Sequence, residues 1–392
     1  MQQLIESVRP SPSEARAAIT LGIIGGGQLA KMTAQAAAQF GCEVVILERQ
    51  PEFPAGSLAT QTLLGDWDDP DSLLELAALV DVVTLENEFV DAAVLEQHGH
   101  TLWPSSGTMR LIQDKLVQKQ TLAAVGLPVP GMRAMERIAD VVATAAEWGF
   151  PFLLKARRNA YDGKGNATLR SLWDVEAAWD KLGGHRGNPL FAEQFCPFTK
   201  ELAVIVTRGV HGEATTYPVV ETVQHNHVCQ IVRAPAPVAP EITERAAELA
   251  RRAVAAVEAV GSFGVELFLL NDGEILVNEL APRVHNSGHY TIEACACSQF
   301  ENHVRAVLGW PLGSPALRAS AAVMVNLLAN ADGPGTPQGL TEALRVPGAH
   351  VHIYGKARSG KGRKMGHVTA LGATHENALA VAQRAADCIR FG

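Results

Sequence analysis

From Thr20 the chain alternates apolar runs with amphipathic ones. LGIIGGG (21–27) reads as a strand running into a glycine-rich turn, QLAKMTAQAAAQFG (28–41) as a helix, and EVVILE (43–48) as a second strand. DSLLELAALV and DVVTLE repeat the alternation, which predicts an open, mostly parallel α/β sheet. Leu111 to Gly126 reads as one helix, closed by glycine ahead of Pro128 and Pro130. Strands then dominate: FPFLLKAR (150–157), LFAEQF (190–195) and ELAVIVTRG (201–209), with a helix near Asp174–Leu182 and an amphipathic one from Ile242 to Val260. Beyond Pro311, AAVMVNLL, AHVHIYG and KMGHVTALG read as strands, and AVAQRAADCIRF as a closing helix.

Two further apolar runs, GVELFLL (264–270) and EILVNEL (274–280), flank Asn271-Asp272-Gly273. Asp-Gly is a strong two-residue hairpin signal. With Asp272 and Gly273 as the loop, the ladder sets Glu266 directly opposite Glu279; a three-residue loop would break that pairing. Facing carboxylates repel each other unless a cation lies between them, and a hard divalent ion such as Mg²⁺ takes a few carboxylate oxygens together with phosphate and water. Two solvent-facing glutamates are the plainer alternative. Against it, Asn278, Glu279, Arg283, His285, Asn286, Ser287 and His289 crowd polar groups just past a buried strand, where sites are commonly built.

Composition narrows the field. With 392 residues, 47% hydrophobic and 19% charged, the chain is long enough for two or three cored domains. A net charge of −8 argues against nucleic acid or an anionic membrane surface as partner, and no apolar run reaches membrane-spanning length. Residues 1–19 lack a signal-peptide core and read as a flexible extension. Six cysteines without C-x-x-C spacing suggest reduced thiols in a cytoplasmic enzyme, not a zinc site.

Other features allow two readings each. Gly25, Gly27 and Ala30 form a G-x-G-x-x-A frame with Glu48 downstream, which suits a nicotinamide dehydrogenase or simply a tight strand-to-helix turn. Lys155, inside an apolar strand, faces an anion or snorkels out from the strand end. Lys115, in QDKLVQKQ, is a weaker candidate because exposed helical lysines are common. The loop Ala160-Tyr161-Asp162-Gly163-Lys164-Gly165-Asn166 can close over phosphates or be an ordinary turn. YGKARSGKGRKMGH, with Lys356, Arg358, Lys361, Arg363 and Lys364, is a solvated loop or a phosphate clamp.

GGGQLAKM (25–32), QDKLVQKQ (113–120), AYDGKG (160–165), AEQF (192–195), NELAPRVHNSGH (278–289) and GRKMGH (362–367) together resemble the ATP-grasp superfamily. More narrowly, they resemble its N5-carboxyaminoimidazole ribonucleotide synthetase family. The motifs stand in the family's order and span nearly the whole chain after the N-terminal extension. The resemblance implies an ATP-grasp fold (α/β and α+β): a Rossmann-like pre-ATP-grasp domain over 20–110, an ATP-grasp domain over 111–310 with a small lobe at about 125–192, and a small β-rich C-terminal domain over 311–392. It implies ATP- and bicarbonate-dependent carboxylation of 5-aminoimidazole ribonucleotide through carboxyphosphate, in purine biosynthesis, by a homodimer.

By the same resemblance Lys115 and Lys155 contact ATP phosphates, and Glu193 and Glu201 hold base and ribose. Tyr161, Gly163, Lys164, Gly165, Gln224 and Asn278 complete the nucleotide site. Glu266 and Glu279 bind Mg²⁺, or Mn²⁺ in its place. Aminoimidazole ribonucleotide contacts Tyr161, Asp162, Arg283, His285, Asn286, Ser287, Lys356 and Arg363, with Glu86 or Glu88 approaching from the first domain. Lys155, Asp162, Lys164, Arg283 and His285 carry the chemistry. The chain departs from the family at Asn159-Ala160, where a glycine pair is usual, and at Asn166 and Gln224; its Glu86-Asn87-Glu88-Phe89 order also differs. Another ATP-grasp ligase, such as a formate-dependent glycinamide ribonucleotide transformylase, would share the hairpin and Lys155. A non-catalytic ATP-binding relative would have no use for the carboxylate pair.

Overall fold

The computed structural model describes residues 18–96, 101–159, 165–225 and 228–392. Tyr161, Asp162, Gly163 and Lys164, and most of the N-terminal extension, lie outside the described residues.

The first layer is a parallel sheet of β1 (Thr20–Ile24), β2 (Glu43–Glu48), β3 (Gln61–Leu64), β4 (Val82–Leu85) and β5 (Leu102–Trp103), in the order β3-β2-β1-β4-β5. Helices α1 (Gln28–Ala38) and α2 (Pro70–Leu79) and the short α3 (Ala92–Glu96) accompany it. Every residue of β1 is buried, as expected for a parallel strand covered on both faces. Leu21, Ile23 and Ile46 share a core with Met32 of α1 and with Phe300 and Val304, far along the chain. The first domain is therefore packed onto the rest of the molecule through apolar side chains.

The single helix expected over 111–126 is two: α4 (Ser106–Gln113) and α5 (Lys115–Ala124). Asp114 breaks them at φ −97°, ψ 108° and caps α5 by accepting from the Leu116 and Val117 amides at 3.1 and 3.3 Å. Its carboxylate also takes Arg157, whose Nε lies 3.0 Å from both oxygens. Helical periodicity continues through Asp114, but a buried carboxylate facing an arginine stabilises the break.

Next comes a small antiparallel sheet of β6 (Met132–Met135), β7 (Phe152–Ala156), β8 (Asn166–Leu169) and β9 (Leu190–Gln194), ordered β6-β9-β7-β8. It is backed by α6 (Ile138–Trp148) and α7 (Asp174–Lys181). The large sheet gathers β10 (Phe198–Arg208), β11 (Ala214–Thr216), β12 (Val220–His225) and β13 (Val228–Ala234). α8 (Pro240–Ala256) leads on to β14 (Gly261–Leu270) and β15 (Ile275–Ala281). Leu249, Ala250 and Val254 of α8 pack on Leu202, Val204 and Val265 of the sheet.

The remaining elements are α9 (Thr291–Ala294), α10 (Gln299–Val307), β16 (Ala321–Leu328), β17 (Gly333–Pro334), α11 (Leu340–Leu344), β18 (Ala349–Ile353), β19 (Arg358–Ser359), β20 (Lys364–Gly372) and α12 (His375–Ala386). α12 begins ahead of the expected helix start, capped by Thr374. The C-terminal strands extend the large sheet, whose path runs β15-β14-β10-β12-β13-β16-β20-β18. β15 is thus an edge strand. No helix of the described residues is long and apolar enough to cross a membrane.

Candidate active site

The hairpin turn has three residues, not two. Leu270 N donates to Glu274 O at 2.8 Å, Gly273 N donates to Leu270 O at 3.1 Å, and Gly273 adopts φ +85°. A glycine in the left-handed region is what a three-residue loop requires. That turn alone would set Glu266 opposite Asn278. The ladder runs Leu269–Ile275, Phe268–Leu276 and Leu267–Val277, then slips by one, so that Glu266 pairs with Glu279 after all. Asn278 is the extra residue of a β-bulge. Val277 and Leu280 are buried while Asn278 and Glu279 between them are half-buried, so the bulge interrupts the in–out alternation at the two adjacent polar residues.

Lys115, the first residue of α5, reaches Glu279 with Nζ at 2.9 and 2.8 Å from the two carboxylate oxygens. Among the described residues no lysine or arginine pairs directly with Glu266. Burial, reinforced by Glu279 and Glu201, lifts its carboxyl to about 7. Its nearest basic group is His285 Nε2 at 3.4 Å, and burial together with Arg283 and Lys364 pushes the His285 imidazole down to about 3, leaving it neutral. Lys115 and Lys364 compensate Glu266 only in part, and two carboxylates with the Asn278 amide form an all-oxygen donor set that suits Mg²⁺. Among the described residues no cluster of three or more His, Cys, Asp or Glu could hold a metal by itself. Mg²⁺ typically draws its remaining ligands from substrate phosphates and water.

Opposite the hairpin, Lys155 on β7 extends to Glu193 on β9 at 2.7 Å, so the anion it faces belongs to the protein. Glu193 is buried and also lies 2.8 Å from Lys119 of α5. Burial would raise its carboxyl, but the two ammonium groups outweigh that and hold it at about 2. A cleft of about 450 Å³ between the small and large sheets gathers Lys115, Lys155, Gly165, Glu193, Glu201, Gln224, Glu266, Asn278 and Glu279. Glu88, Arg283, His285, Asn286 and Ser287 line the same cleft. Phe198 and Phe268, stacked at 4.5 Å with their planes 3° apart, give it an apolar floor.

Arg283 is held by both oxygens of Glu88, which joins the first domain to the segment after β15. His285 Nδ1 lies 2.9 Å from Ser287 Oγ. Asn286 exchanges amide hydrogen bonds with Asn326 of β16 at 2.9 and 2.7 Å. Glu86 lies apart from the cleft lining: its carboxylate accepts from the Ala30 amide at 2.9 Å, and burial raises its carboxyl to about 7. Lys356 and Arg363 also lie off the lining; Lys356 Nζ donates to Lys364 O, and the exposed Arg363 donates to Arg358 O, both at 2.8 Å. Their neighbour Lys364 lines the cleft instead.

The glycine turn after β1 is filled from within. Glu48 accepts from Gly26 N at 2.7 Å, and a Cβ at Gly27 would stand 2.1 Å from a Glu86 oxygen. Two carboxylates thus occupy the donors that a dinucleotide pyrophosphate needs, which disfavours the dehydrogenase alternative. Gln118, Lys119, Phe198 and Phe268 are not singled out by the sequence, whereas Lys364 belongs to the basic run read as a solvated loop or a phosphate clamp. The i, i+3, i+4 spacing of Lys115, Gln118 and Lys119 was the available signal, since it puts all three on one helix face.

Residues 18–113 match the ribonucleotide synthetase preATP-grasp domain, residues 120–300 the ATP-grasp domain, and residues 322–381 the phosphoribosylaminoimidazole carboxylase C-terminal domain. The chain is 44% identical to the N5-carboxyaminoimidazole ribonucleotide synthase of Synechococcus elongatus, covering 89% of this chain and 88% of that one. It is 42% identical to the chloroplastic phosphoribosylaminoimidazole carboxylase of Vigna aconitifolia over 91% of its own length, but spans only 64% of that relative. An N5-carboxyaminoimidazole synthase from Aspergillus clavatus, solved with ADP and 5-aminoimidazole ribonucleotide, superposes with a TM-score of 0.87 at 37% identity, covering 95% of this chain and 98% of that one.

Proposed function

The chain belongs to the N5-carboxyaminoimidazole ribonucleotide synthase family and has the ATP-grasp fold with an N-terminal pre-ATP-grasp domain and a C-terminal domain; from that premise we propose that it carboxylates 5-aminoimidazole ribonucleotide with ATP and bicarbonate. The products are N5-carboxyaminoimidazole ribonucleotide, ADP and phosphate. One observation carries the reading: a single cleft holds the Glu266–Glu279 pair, Lys115 and Lys155 beside Arg283, His285, Asn286 and Ser287.

The Phe198–Phe268 floor suits an adenine ring, and in this reading the phosphates extend toward Lys115 and Lys155 of the same cleft. Glu266, Glu279 and the Asn278 amide would hold Mg²⁺, with Mn²⁺ as a substitute, and the ion supplies charge neutralisation at the phosphate oxygens. A bicarbonate oxygen bonds to the γ-phosphorus as the bond to the β-phosphate oxygen breaks and ADP leaves. Lys155 neutralises charge that develops on the transferred group, because phosphoryl transfer depends on positioning and electrostatics. The exocyclic amine then forms its bond to the carboxyphosphate carbon, or to CO₂ released from it. Phosphate departs and the nitrogen loses a proton, for which the sequence offers Asp162 as acceptor.

Neutral His285 acts here as a hydrogen-bonding group and not as an acid. Arg283, aligned by Glu88, supplies a fixed cation for the carboxylated intermediate. Glu86, Lys356 and Arg363 belong to the ribonucleotide side of the reading, and Tyr161, Asp162, Gly163 and Lys164, outside the described residues, are the ones the resemblance assigns to nucleotide and substrate. The reading includes a cytoplasmic homodimer, for which light scattering should give the mass of two chains.

Phosphate release with and without aminoimidazole ribonucleotide tests it. Release that requires both bicarbonate and this ribonucleotide is expected. Release that follows formate and glycinamide ribonucleotide instead would establish the other ligase, and none with either pair would end the proposal.

A further inference from the structure

Among the described residues Lys119 is the only buried lysine or arginine. An ammonium out of water is costly unless its partners are placed to receive it. The partners of Lys119 come from opposite walls of the cleft. Its Nζ donates to the carbonyl of Asn278 on β15 at 2.7 Å and pairs with Glu193 on β9 at 2.8 Å. The other Glu193 oxygen takes Lys155 at 2.7 Å.

Asn278 is the bulged residue, and β15 is the edge of its sheet. Edge strands leave N–H and C=O groups open along one side. Here α5 and the chain after it take the place of a neighbouring strand. Gln118 brackets Leu280, accepting from its amide at 2.9 Å and donating to its carbonyl at 3.0 Å. Pro128 O accepts from Val277 N at 2.8 Å. The turn alone favours Asn278 opposite Glu266, and these outer-edge contacts flank the point where the ladder slips to Glu279. Lys119 grips the one carbonyl at which the slip occurs.

We propose that Lys119 is a positioning residue: it anchors the Asn278 carbonyl so that the bulge brings Glu279 opposite Glu266, and it anchors Glu193 so that Lys155 is aimed into the same cleft. The proposal rests on the reading of the hairpin as the element that holds metal and nucleotide phosphates. Without the ammonium, β15 is free to move toward the register of its turn, and Glu193 keeps a single cation.

The test is ADP binding to the full chain by calorimetry, with Mg²⁺ and with EDTA. In Lys119→Met the gain in ADP affinity from Mg²⁺ should fall by about 10–100-fold, the usual effect of losing a group that orients metal ligands. A gain within about twofold of the parent's overturns the proposal, because a side chain that only fills space would leave it there. If Lys119→Met does not fold, Lys119→Gln, which keeps a polar end of similar bulk without the ammonium, is measured in the same way. The same loss is expected, and retention of the gain is equally fatal. A parent chain whose ADP affinity ignores Mg²⁺ would instead refute the metal reading, which separates the two failures.

Discussion

Arg283 donates to both carboxylate oxygens of Glu88, with Nε at 2.5 Å and a terminal nitrogen at 3.1 Å, across the junction between the first domain and the ATP-grasp domain. Each side chain is about one-fifth exposed, so water only partly screens the pair. Glu88→Gln keeps the shape but leaves Arg283 without its bidentate partner. We expect a loss of about 1–3 kcal/mol in urea unfolding, typical of hydrogen bonds to a charged group, and a raised KM for the ribonucleotide. If both are unchanged, the pair neither joins the domains nor aligns Arg283.

The hairpin carboxylates should respond unequally to removal. Glu279→Ala strips Lys115 of its partner, so both stability and ATP turnover should fall, turnover by at least about 100-fold if the metal and phosphate roles are right. Near-normal ADP release with bicarbonate and the ribonucleotide would refute the metal assignment.

Glu266 predicts a pH effect of definite sign. Its carboxyl rises from an ordinary 4.5 to about 7 in the folded, ligand-free chain, chiefly through burial. The folded state therefore holds its proton more tightly than the unfolded state, and stability falls as pH rises from about 4.5 to 7. Glu266→Gln removes this slope. Above pH 7 the ligand-free variant should be the more stable chain, by no more than about 1 kcal/mol because solvent reaches 38% of the side chain. Melting curves across pH 5–8 check it; parallel curves for variant and parent would show that Glu266 is already compensated.

Gly264 has no room for a side chain. A Cβ there would stand 2.5 Å from the Cβ of His285, so Gly264→Ala must displace the His285 backbone or β14. A cost of about 1–3 kcal/mol is expected, as for other overpacked sites, along with weaker ribonucleotide binding. Thermal melting and KM measured on one preparation would report both, and a wild-type KM would mean that His285 does not meet this substrate.

Ligand linkage separates the enzyme classes. At a concentration 100 times its Kd, MgATP should stabilise the chain by about 2.7 kcal/mol, ATP with EDTA should do less, and NAD should do nothing. Stabilisation by NAD alone would reopen the dehydrogenase reading that Glu48 and Glu86 argue against.

Much of this molecule is legible in one dimension. The alternation from Thr20 to Glu86 produces the parallel sheet, because strands covered on both faces are written as unbroken apolar runs. The polar segment from Asn278 to Ser287 falls where the chain leaves a buried strand, and it lines the cleft. A two-residue turn sets Glu266 opposite Glu279, yet the actual turn has three residues and the bulge restores the pairing. An apolar strand around Lys155 allows an anion partner or a snorkelling side chain, and nothing local points to Glu193, which reaches it from another strand.

Local pattern thus determined which elements form and which residues carry chemistry, since both follow from apolar spacing and from polar groups that have no place in a core. Tertiary structure alone decided the register of β15, the break at Asp114 and the burial of Lys119. The break at Asp114 and the burial of Lys119 are each accompanied by an opposite charge from a distant part of the chain, and the slipped edge of β15 is held by Gln118 and Lys119 of α5. Asn278 lies 159 residues from the lysine that grips its carbonyl, a separation no turn signal or helical period can encode.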